Sequence, residues 1–150
     1  HYVAQELLMS CKKQWNENTI EIIEGLITTR SWWDTVDFLA GSAVGHYFEK
    51  WPQDKEKVVR RWNASNNMWL VRSSILFQLK YKDEVDEELL QEMILPHTLD
   101  KEFFIRKAIG WALRQYSKYN PAYVLDFVAN HSLQPLSERE ALKHINRQKP

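Results

Sequence analysis

Seven residues, SWWDTVD from Ser31 to Asp37, hold two adjacent tryptophans and two aspartates. Tryptophan is scarce and a carboxylate is costly to bury, so their crowding into one helical turn needs a reason. In a helix opening at Ser31, Trp32, Val36, Leu39 and Ala43 recur at i, i+4, i+7 and i+11 and form one apolar stripe, expected to face the core. Ser31 and Asp34 have the spacing of a capping box. Trp33 and Asp37, four apart, are left over on a face turned about 100° from the stripe. A carboxylate beside an indole can attract positive charge from two directions, so the pair is a candidate site. The plainer alternative is a packed Trp33 and an Asp37 paired with an arginine.

Other residues could join them. Trp69 and Arg72 stand three apart on a later helix, and Arg72 has no acidic residue within that helix. Trp111 lies further on, with Arg114 and Lys118 close to its face. The alternatives are core packing for Trp111 and a salt bridge to Asp37 for Arg72. Periodicity alone does not choose between them.

The elements that must position these residues read as helix throughout. Among 150 residues only four are Gly and five Pro, and apolar residues recur at helical rather than alternating spacing. One series of helix starts falls near 31, 65, 100 and 137, signalled by Ser31, Ser65 or Asn66, Asp100, and a Ser137–Glu140 capping box. An interleaved series falls near 17, 54, 86 and 120, the last as Asn120 followed by Pro121. A helix pair recurring every ~35 to 45 residues predicts an all-α superhelix, a solenoid of HEAT-like pairs. An irregular bundle is the alternative. Residues 1–150 read as a single such domain. Because His1 already falls inside a helical pattern, the chain is expected to be a fragment lacking its N-terminal part.

Charge sorts with the layers. The chain balances 20 basic against 20 acidic residues. Yet segments 65–82, 100–118 and 137–150 hold twelve Lys and Arg against four acidic residues. The interleaved segments 16–29, 83–99 and 119–136 hold ten acidic residues and no Lys or Arg. One layer is therefore basic, the footprint expected for a polyanion, although solvated outer faces give charge runs too. A single cysteine, Cys11, excludes an intrachain disulfide and suits a reducing compartment. No apolar run approaches the ~18 residues of a membrane span. His1, His46, His97, His131 and His144 are scattered without ligand spacing, and no CxxC, HExxH, GxSxG or phosphate-binding glycine loop is present, so neither metal nor cofactor is expected.

SWWDTVD, then NMWLVRSSILFQLKYK, KEFFIRKAIGWALRQYSKYNP and LSEREALKHI, in that order and spacing, closely resemble the AlkD-type DNA alkylation-repair proteins, which are HEAT-like DNA glycosylases. The resemblance covers nearly the whole chain. It implies a concave basic face and a monofunctional glycosylase, a hydrolase that excises cationic N3- and N7-alkylpurines such as 7-methylguanine and 3-methyladenine from duplex DNA. The family's catalytic aspartate falls on Asp37, its two active-site tryptophans on Trp33 and Trp111, and its active-site arginine on Arg72, where it would hold a phosphate. Trp69, Arg114 and Lys118 are further DNA-binding candidates. The chain would act as a monomer in the cytoplasm, on the nucleoid when bound, with no membrane or metal. The alternative is a helical-repeat scaffold that binds DNA structures or proteins without catalysis, since fold does not fix function.

Overall fold

The computed structural model describes residues 2–29 and 32–149. Among the described residues every regular element is helical and none is a strand. The chain divides into two compact units, His1–Phe77 and Gln78–Pro150.

The first unit holds α1 (Tyr2–Ser10), α2 (Thr19–Thr28), α3 (Trp33–Phe38), α4 (Gly45–Lys50), α5 (Lys55–Asn63) and α6 (Met68–Leu76). A π-helical segment, Leu39–Val44, joins α3 to α4 without a break, and turns of this wider kind are frequent at functional sites. Ile23 and Ile27 from α2, Val36 and Leu39 from the α3 region, Tyr47 and Phe48 from α4, Trp62 from α5 and Leu76 from α6 fill the core. Val36, Leu39 and Ala43 are fully buried, as the apolar stripe requires, but Trp32 is 61% exposed. The reason is local. Trp32 precedes the helix with extended backbone (φ −140°, ψ 146°), so the helical phase does not reach it. Ser31 lies outside the described residues. Asp34 sits in the first turn, where its Oδ1 accepts from the Thr35 amide at 2.7 Å and its charge suits the positive helix end.

The second unit holds α7 (Glu87–Ile94), α8 (Phe103–Ser117), α9 (Pro121–Asn130) and α10 (Pro135–Arg147). Leu90, Met93 and Ile94 meet Ile105, Ile109, Leu113, Val124, Phe127 and Ala141 in its core. Two N-caps stand where the sequence puts them. Asp86 accepts from the Leu89 amide at 3.0 Å, and Asn120 accepts from the Tyr123 amide at 3.1 Å, with Pro121 first in the helix. Others differ. Asn67, not Ser65 or Asn66, caps α6, accepting from Trp69 and Leu70. Asp100 accepts from the Glu102 amide ahead of α8 rather than capping it. Ser137 does not open α10, which starts at Pro135; it is buried, and its hydroxyl donates to the Arg106 carbonyl at 2.9 Å.

That bond marks a close approach of α8 and α10. A Cβ placed on Gly110 would stand 2.6 Å from Cβ of Glu140 and 3.1 Å from the Ser137 carbonyl oxygen. Small residues let two helix backbones come this near.

Candidate active site

α3 and α6 belong to the first unit and pack on each other. Their contact joins the candidates that the sequence places 35 residues apart. Arg72 Nε donates to Asp37 Oδ1 at 2.7 Å, and Nη2 donates to Oδ2 at 2.9 Å. This is the bidentate fork that a planar guanidinium makes with a carboxylate. The Arg72 side chain is 5% exposed and that of Asp37 9%, so the pair is nearly dry.

A dry pair is costly to form, because each charge loses its water. It holds only when geometry is good, and the geometry then fixes the carboxylate plane. Two of the roughly four acceptor positions on an ionised carboxylate are used by Arg72.

Trp33 is the first residue of α3, one turn before Asp37 on the same face, and is 46% exposed. Its indole therefore presents surface to solvent on the helix face that also carries the sunken carboxylate. Trp69 lies one turn before Arg72 on α6 and is partly buried. Of the two alternatives for Arg72, the structure forms the ion pair with Asp37.

The remaining candidates lie on α8 in the second unit. Trp111 is partly buried. Lys107 and Arg114, one turn before and one turn after it, both pair with Glu140 of α10, at 3.3 and 3.2 Å. Glu140 so spans the turn that carries Trp111. Burial pushes the Glu140 carboxyl up, but its hydrogen bond to Lys107 and the charges of Lys107, Lys143 and Arg114 outweigh that and hold it below its ordinary value of 4.5. Arg114 is therefore partly neutralised. Lys118 is exposed and donates to Gln115 Oε1 at 3.1 Å.

Among the described residues no group of His, Cys, Asp and Glu is placed to hold a metal ion. Among the described residues no helix is long and apolar enough to cross a membrane. His46, the histidine nearest Asp37 in sequence, packs edge-on against Trp15, with Nδ1 3.8 Å from Glu49.

Residues 1–145 match the family model described as DNA alkylation repair enzyme. A solved structure described as a predicted DNA alkylation repair enzyme from Enterococcus faecalis is similar at a TM-score of 0.90. The two are 30% identical, over 97% of this chain and 68% of that one. No curated protein sequence matches the chain closely.

Proposed function

Because the chain belongs to the DNA alkylation repair enzyme family, we propose that it acts in alkylation repair as a monofunctional DNA glycosylase, releasing cationic N3- and N7-alkylpurines from duplex DNA. One observation carries this reading: a nearly buried carboxylate, Asp37, gripped at both oxygens by Arg72, with the half-exposed Trp33 one helical turn before it.

An alkylpurine of this kind carries a positive charge. When its glycosidic bond breaks, the bonding pair goes to the base nitrogen and the base leaves neutral. No general acid is needed, and His46 is occupied against Trp15 and Glu49. Positive charge grows instead on the deoxyribose. A fixed carboxylate stabilises that oxocarbenium-like state and can orient the water whose oxygen bonds to C1′. The indole face of Trp33 adds about 0.5 to 2 kcal/mol of cation–π attraction. Arg72 serves here first as the positioning residue that sets the carboxylate plane, because Asp37 already occupies its fork. Trp69, Arg114 and Lys118 are proposed contacts to the duplex. Phosphate contacts of this sort position without specifying, so selectivity rests on the lability of the charged lesion. The reading further takes the protein as a cofactor-free monomer of the cytoplasm.

The test is incubation with methylated duplex DNA. Free 7-methylguanine should appear while the strand stays intact until alkali cuts the abasic site. Strand scission without alkali would refute a monofunctional enzyme.

A second reading has an observation in its favour. A bidentate buried pair is also how a purely structural ion pair is built, which suits a scaffold that binds DNA or protein without catalysis. Asp37→Asn separates the two, since a scaffold facing phosphates gains nothing from the carboxylate.

A further inference from the structure

We propose that Trp32 is a second, non-catalytic DNA contact, whose indole lies on the apolar face of a base or deoxyribose beside the nucleotide being cut. The proposal rests on the glycosylase reading for its ligand, and on the following observations for its site.

Trp32 stands at the N-cap of α3, a position that favours Ser, Thr, Asp or Asn because their side chains satisfy free amides. In this chain α6, α7 and α9 follow that rule with Asn67, Asp86 and Asn120. Trp32 makes no side-chain cap; only its backbone carbonyl joins the helix, accepting from the Val36 amide at 2.9 Å. It also contributes little to the core, since 61% of it is exposed. A large indole therefore occupies a place where it makes no cap and leaves most of its surface to solvent. Around it, Trp33 and Phe38 are 46% and 40% exposed, so three large rings stand out of the same stretch of helix that sinks Asp37. Flat aromatic surface stacks on bases of any sequence, which suits an enzyme that must read damage and not sequence.

The tests compare the wild-type chain with Trp32→Ser and Trp32→Phe. Binding is read on a duplex carrying a tetrahydrofuran abasic-site analogue, together with thermal melting and the rate of 7-methylguanine release at saturating protein. Trp32→Ser supplies the missing cap, so its melting temperature should hold or rise. Its affinity should fall roughly tenfold or more, the range of one stacked base. The slope of log K against log salt should stay unchanged, because no phosphate contact is lost. The rate at saturation should stay within about twofold, and Trp32→Phe should restore most of the affinity. Wild-type affinity in Trp32→Ser, or a lowered melting temperature with it, overturns the proposal. A wild type that releases no base but binds through Trp32 leaves this contact standing and removes the glycosylase reading alone.

Discussion

Replacing Arg72 by alanine should destabilise the fold far more than removing a surface charge. The substitution leaves Asp37 as a carboxylate with a 9% exposed side chain whose two guanidinium bonds, at 2.7 and 2.9 Å, are gone. Breaking a buried pair by deleting one partner costs about 3 to 5 kcal/mol, because the other charge stays desolvated. An exposed pair such as Arg60–Glu56, with both side chains at least half exposed, contributes ~0.5 kcal/mol or less. For a chain of this size each kcal/mol moves the melting temperature by about 2 to 4 °C. Arg72→Ala should therefore melt about 6 to 20 °C below wild type, by circular dichroism at fixed pH and salt. The double variant Asp37→Leu/Arg72→Met removes both charges at similar volume, and should recover much of that loss. An Arg72→Ala protein that melts within 2 °C of wild type, or a double variant no more stable than Arg72→Ala, would refute the dry ion pair.

Two more expectations concern the second unit. Gly110→Ala should lower stability by about 1 to 3 kcal/mol in a chemical melt, although Ala normally helps a helix interior, because the new Cβ would stand 2.6 Å from Cβ of Glu140. The Glu140 carboxyl is held below 4.5 in the fold, so the stability it contributes is complete above that pH and is lost as pH falls through the folded value. Stability followed from pH 6 down to 3 should consequently fall less in Glu140→Gln than in wild type, and parallel curves would remove Glu140 as an acid-sensitive clasp between α8 and α10.

Much of the helical framework is legible from local signals. The caps at Asp86 and Asn120 are read correctly because an N-cap acts within three residues of itself. Ser137 misleads for a physical reason. The Ser-x-x-Glu spacing of a capping box also arises when a small residue admits a neighbouring helix and the glutamate serves other cations, here Lys107 and Arg114. Pro135, two residues earlier, carries the true start, since proline favours the first helical position. Trp32 misleads because periodicity assumes the helix has already begun; one residue of extended backbone puts it outside the stripe. In the candidate site, Trp33 and Asp37 share a face as local spacing dictates. Whether Arg72 meets a phosphate or Asp37 depends on packing between α3 and α6, a contact across 35 residues that composition and periodicity do not encode. The wider π-helical turn just beyond Asp37 has no local sequence signal that marks it.

The central claim is that Asp37 carries the reaction. The most direct measurement is single-turnover release of 7-methylguanine from methylated duplex DNA by wild type beside Asp37→Asn, with both shown to be folded and to bind the duplex. Removing the carboxylate's charge keeps the shape and one acceptor for Arg72. Stabilisation of developing charge by one such group is worth roughly 10²- to 10³-fold, so the rate should fall by at least about that much while binding holds or tightens. Equal rates in the two proteins, or no release from a wild type that binds DNA, would contradict the account and leave SWWDTVD as scaffold.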